Sequence, residues 1–157
     1  MKKWIAVIMA LVICLSLFTA CKKEVEETPS QENVMAQPLL GEELERAKDE
    51  IVGEWRSTEG GILMWIYFEG DVCKVSIDRQ VDNGWETWTF SGDLAKLDDY
   101  RLVANDCTKY LNAADGSIVS VYENGIATLL VKAGKITWID ESEHTADDAI
   151  FERTYAE

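Results

Sequence analysis

Histidine is nearly missing from this chain: His144 is the only one in 157 residues. Imidazole is the commonest proton carrier near neutral pH and a frequent metal ligand, so most metal centres and acid–base sites are excluded at the outset. Cations are short too, with 15 Lys and Arg against 29 Asp and Glu, a formal charge of -14 and an isoelectric point near 4.4. A nucleic-acid binder needs clustered Lys and Arg to meet phosphates, and the sequence has no such cluster. Nucleophile motifs are also lacking: there is no Gly-x-Ser-x-Gly, no Ser-x-x-Lys and no Cys placed beside a His. Carboxylates are so numerous that no pair of them singles out a glycosidase site. The chain therefore reads as a non-enzyme with no cofactor. What it does have is apolar material, 47% hydrophobic and 10% aromatic, enough for one packed domain and not two.

Lys2 and Lys3 precede an uncharged run from Trp4 to Ala20, so residues 1–20 read as a secretory signal peptide. Its end, Leu17-Phe18-Thr19-Ala20-Cys21, resembles the bacterial lipobox, with Phe18 where the lipobox usually carries Leu. The resemblance implies cleavage before Cys21, a diacylglycerol on its sulfur, and a lipid-anchored protein on the extracytoplasmic face of the cell membrane. An uncleaved signal anchor is the alternative, and either leaves the rest of the chain outside the membrane. Loss of Lys2 and Lys3 makes the mature chain still more acidic, so an anionic membrane surface repels it and the acyl chains must do the holding. Cys14 leaves with the signal and Cys21 carries lipid, which leaves Cys73 and Cys107. An exported protein permits a disulfide between them; two buried free thiols are the other reading.

Residues 21–38 are polar, charged and without periodicity, as in a flexible tether. Over 39–50 the recurrence of Leu40, Leu44, Ala47 and then Ile51 predicts a short amphipathic helix covering one end of the domain. Across 51–157 the period changes to two. Cys73, Val75 and Ile77 alternate with Lys74, Ser76 and Asp78, and Ala127, Leu129 and Val131 with Thr128 and Lys132. Turn pairs punctuate the pattern: Gly60-Gly61, Gly70-Asp71, Asn83-Gly84, Gly92-Asp93, Asp115-Gly116, Asn124-Gly125 and Ala133-Gly134. Ile62 to Phe68 is apolar at every position, which predicts a strand buried on both faces. The expected fold is mainly β, an antiparallel up-and-down meander of about eight to ten strands closed into a small barrel, with a sandwich as the alternative.

Gly53-Glu54-Trp55 opening the first strand, with the Phe151-Glu152-Arg153 strand closing the meander, resembles the lipocalin-like barrels and their Gly-x-Trp signature. The stretch from Asp71 to Arg153 is also similar to small lipoproteins of anaerobic Gram-positive bacteria with no assigned activity. The resemblance implies that Trp55 packs across the closed end of the barrel, with Arg153 as the candidate for the arginine that stacks on it.

An eight-stranded barrel is only just wide enough to be filled by its own side chains or to hold one small ligand. For a small apolar ligand, Trp65, Trp88, Phe90 and Leu129 are the candidate lining. Trp85 follows a hairpin turn, where a core role is least needed. The acidic run from Asp140 to Asp148 lacks the spacing of an EF-hand and reads as a solvated loop carrying His144 into water. Two functions follow as expectations: a lipid-anchored binding module for a ligand not assigned by the sequence, or an acidic-surface interaction or inhibitor module facing a cationic protein.

Overall fold

Strict alternation of apolar and polar residues, broken by glycine-bearing turns, sets the path of the backbone. The computed structural model describes residues 37–96, 98–144 and 149–154; the expected signal peptide, Cys21 and the expected tether up to residue 36 lie outside the described residues, and Gln37–Pro38, expected in the tether, form a short strand. The elements run β1 (Gln37–Pro38), α1 (Gly41–Ile51), β2 (Gly53–Ser57), β3 (Ile62–Glu69), β4 (Val72–Val81), β5 (Gly84–Gly92), β6 (Ala95–Lys96), β7 (Tyr100–Ala113), β8 (Ile118–Lys132), β9 (Lys135–Asp140) and β10 (Ala149–Arg153). Each of β2, β3, β4, β5, β7, β8, β9 and β10 pairs antiparallel with the next, and β10 pairs back onto β2. The result is a closed eight-stranded up-and-down barrel preceded by one short helix. Closure removes most of the open edge that such an apolar sheet would otherwise expose. The two-residue strands β1 and β6 form a small side ladder on the start of β7. Among the described residues no helix is long and apolar enough to cross a membrane.

The core runs through the barrel. Trp55, Met64, Ile66, Val75, Ile77, Trp88, Leu102, Leu129, Ile136, Trp138 and Phe151 all point inward and are buried. Near its middle the Trp88 and Trp138 rings meet edge to face, 5.0 Å between centroids, an arrangement that suits the ring quadrupoles. Burying apolar surface at roughly 25 cal/mol per Å² makes these large rings the main source of cohesion.

Helix α1 lays Leu44, Ala47 and Ile51 against one end of the barrel. Leu40, expected on that stripe, instead sits exposed at the N-cap, and Leu39 is buried in its place, its amide donating to the Leu94 carbonyl at 2.8 Å. Lys48 fixes the other side of the helix: its ammonium reaches Glu45 at 2.8 Å and Asp71 in the β3–β4 turn at 3.2 Å.

Three strand expectations are corrected. Ile62 to Phe68 is not buried on both faces: Met64 and Ile66 point in, whereas Trp65 and Tyr67 point out and are exposed. Asn124-Gly125 is not a hairpin turn, because β8 runs through it, with Asn124 in the left-handed region at φ 57°. Asparagine tolerates that conformation, so it marks an irregularity in a long strand as readily as a turn. Gly92 likewise ends β5 and leads into β6 instead of turning straight into a hairpin. Gly84 follows the tight Asp82-Asn83 turn at φ 141°, and a Cβ there would stand 2.0 Å from the Asn112 carbonyl oxygen. Only glycine allows β5 and β7 to approach that closely.

Candidate functional site

The two ends of the barrel differ in chemistry. At the helical end Trp55 lies on β2 directly opposite Arg153 on β10, and its indole N–H donates to the Ile51 carbonyl at 2.8 Å. The Arg153 guanidinium sits 5.9 Å from the Trp55 ring centroid. The same guanidinium donates to the Asp49 carbonyl at 3.3 Å, to Glu50 at 3.5 Å, and to Val52. Carbonyls at a helix C-terminus lack intrahelical partners, and a planar cation meets that need while its face covers the indole. Gly53 fits the same cluster: at φ 141°, a Cβ would come within 3.4 Å of the Arg153 Nε. Gly53 and Trp55 thus sit with Arg153 at the helical end of the barrel.

Outside the Trp55–Arg153 pair opens a cleft of about 540 Å³, lined among others by Asp49, Glu50, Asp98, Asp99, Tyr100 and Lys96. Four of those residues are acids from two segments, the end of α1 and the β6–β7 connection. Asp99 holds Lys132 at 3.3 Å.

At the opposite end the barrel interior turns polar. Arg79 and Glu86 face each other across β4 and β5, and Lys109 on β7 stands opposite Trp88. Glu86 accepts from Arg79 Nε at 2.9 Å and from Lys109 at 2.9 Å, and Lys109 also donates to Glu143. Both cations lie over Trp88, Lys109 at 4.8 Å and Arg79 at 5.5 Å from the ring centroid. Burial penalises the Glu86 carboxylate, but the hydrogen bonds and charges of Lys109 and Arg79 outweigh it and hold its pKa below the ordinary glutamate range. Burial likewise opposes the Lys109 ammonium, and its bonds to Glu143 and Glu86 override that and raise its pKa. The cluster is balanced in charge and largely satisfied from within.

Asp140 was expected in a solvated acidic loop. It is instead fully buried, and its Oδ1 accepts from the Tyr122 hydroxyl at 3.0 Å and from the Ser142 amide at 3.1 Å. It organises the start of the β9–β10 connection from inside, which turns Glu143 back onto Lys109. Residues 145–148 of the acidic run lie outside the described residues.

Cys73 and Cys107 are free and buried, so the disulfide permitted by an exported chain is not formed. They sit on β4 and β7, which are separated by β5. Burial pushes the Cys73 thiol up to about 12 and Cys107 up to about 11, which leaves both unreactive near neutral pH.

Of the four candidate lining residues, Trp88, Phe90 and Leu129 are brought together inside, where they are part of the packed core. Trp65 is not among them, since it lies on the outer face. Trp85 is also outside, beside Gln80 and Leu63 at a groove of about 180 Å³. Lys109 escaped the sequence reading because the β7–β8 register shifts between Ala104 and Cys107. The shift reverses the parity of the strand, so even positions point inward before it and odd ones after it. Compared with known proteins, the chain matches no family model, no curated protein and no solved structure.

Proposed function

We propose that this chain is a non-enzymatic binding module of the cell envelope, lipid-anchored through Cys21 on the extracytoplasmic face, that engages a cationic protein through its outer surface. The observation that carries the reading is the contrast between the two candidate sites. The interior is occupied by the chain's own Trp88, Trp138 and Phe151, whereas the acidic cleft beside Arg153 is open to solvent. A net charge of -14 adds a long-range field that draws cations toward such a cleft. The small-apolar-ligand reading loses support because Phe90, Leu129 and Trp88 already contact one another's neighbours in the core and Trp65 faces away.

The test is binding of the full-length protein to cytochrome c, a basic protein probe, over a salt series. Steep weakening between low and physiological ionic strength is expected, together with several-fold weaker binding by an Asp98→Asn/Asp99→Asn variant. Salt-insensitive binding, or a variant equal to wild type, overturns the cleft assignment. Anchoring is tested separately: Cys21→Ser should abolish incorporation of labelled palmitate and release the protein from the membrane fraction.

A further inference from the structure

β8 has two neighbours along only part of its length. From Ala127 to Val131 it lies between β7 and β9. The pairing extends slightly further, with Glu141 N–H donating to the Ile126 carbonyl at 3.0 Å and Ile126 N–H to the Ser142 hydroxyl at 3.1 Å. At Asn124-Gly125 the strand bends, and Ser142 lies so close that a Cβ on Gly125 would be 2.6 Å from its Oγ. Beyond that bend the start of the β9–β10 connection, residues 141–143, turns inward and carries Glu143 to Lys109. Ile118, Val119, Ser120 and Tyr122 are therefore paired with β7 on one side, with Val121 the extra residue of a bulge, and among the described residues the segment has no strand on the other side.

A strand in this position presents a row of alternate amides and carbonyls to solvent. Natural edges are usually blunted by Lys, Pro, an inward-pointing charge or a bulge; Gly116-Ser117-Ile118-Val119-Ser120-Val121-Tyr122 has none of the first three, and its one irregularity is the bulge at Val121. The side chains along it are apolar and open: Ile118 is 71% exposed, Val119 52% and Val121 44%. On a chain of net charge -14 this uncharged, β-branched stretch is bracketed by Asp115 and Glu123. An apolar centre with a charged rim is the anatomy of a recognition surface.

We infer that the edge of Ile118–Tyr122, unpaired among the described residues, accepts an extended segment of a partner protein as an added antiparallel strand. Main-chain hydrogen bonds supply affinity, and alternate side chains supply specificity. The partner segment carries β-branched or other apolar residues opposite Val119 and Val121, and basic residues at its ends, where Asp115 and Glu123 stand. A second copy of this chain fits less well. Antiparallel self-pairing would set Asp115 of one copy against Glu123 of the other, on two bodies of the same strong charge.

The experiment is hydrogen–deuterium exchange on the full-length protein, with the acetylated and amidated peptide Lys-Val-Thr-Val-Thr-Val-Lys as probe. Exchange over residues 116–123 should slow at least tenfold, with no comparable change elsewhere. A control peptide N-methylated at its central residues, which removes edge donors without touching the protein, should give no protection. Val119→Lys/Val121→Lys should also lose the effect while keeping its unfolding midpoint. No protection at about 1 mM peptide, equal protection by the N-methylated control, or protection confined to another segment overturns the inference. So does protection of the same residues in peptide-free protein that sediments as a dimer, which would make the second copy the occupant.

Discussion

Arg153 lies over the indole of Trp55 while its donors hold the Asp49 and Glu50 carbonyls of α1 and the Val52 carbonyl just after it, so one side chain joins the final strand, the first barrel strand and the helix. Replacing Arg153 with Met keeps some packing but removes the fork. The expected loss is about 2 kcal/mol, read as a lower urea midpoint with an unchanged slope. Arg153→Lys should recover little of it, because an ammonium cannot cover the ring and meet several carbonyls at once.

The Glu86 cluster sets an acid limit on stability. Its pKa is lowered on folding, so its contribution is complete above the ordinary glutamate value and is lost as pH falls through the lower, folded value. Lys109, with its pKa raised, contributes fully at neutral pH and loses that contribution only at high alkaline pH. Urea midpoints measured from pH 7 downward should therefore fall below pH 4, and Glu86→Gln should flatten that decline. At pH 7 Glu86→Gln should cost about 3 kcal/mol, because it leaves buried Lys109 short of one carboxylate.

Tryptophans divide by face. Trp88→Ala opens the centre of the core and should cost about 3–5 kcal/mol, whereas Trp65→Ala and Trp85→Ala, on the outer face, should change stability by less than about 0.5 kcal/mol. Thermal unfolding of the three variants checks the division. An outer-face variant as damaging as Trp88→Ala would contradict the assignment.

Thiol chemistry supplies a further check. Cys73 and Cys107 should fail to react with a disulfide reagent at pH 8 in the folded protein and react fully in denaturant. Mobility on a gel should be identical with and without reductant. A shift on reduction would contradict the free thiols.

Much of the barrel was legible from residue order because two-residue turns leave local marks. Asn83-Gly84 and Ala133-Gly134 announce hairpins, the first one residue late since the turn falls at Asp82-Asn83, and Ala133 and Gly134 do take positive φ. Asn124-Gly125 gave the same local signal without a turn, because the left-handed conformation that Asn supplies also serves a bend in a continuing strand. Trp65 was placed inside because an unbroken apolar run carries no parity of its own, and only the neighbouring Met64 and Ile66 settle which face is core. The position of Lys109 depends on shifts in the β7–β8 register, which no window of sequence along β7 reveals. Of the candidate site, Arg153 beside Trp55 came only as a candidate that the resemblance to lipocalin-like barrels implied, and the structure places the two opposite each other. The acidic cleft was not, since it joins the end of α1 to the β6–β7 connection and forms only in three dimensions.

Closure by β10 has a bearing on timing. β2 gains its second neighbour only when Phe151 to Arg153 arrive, almost the whole barrel later in the chain. During synthesis from the N-terminus, every hairpin can form as it emerges, but the seam between first and last strands must wait. A chain cut before Ala149 would leave β2 and β9 each with one bare side and would lack the cation that covers Trp55. Until Arg153 reaches Trp55, the sides of β2 and β9 that β10 covers stay bare, so this seam is the last part of the barrel to close.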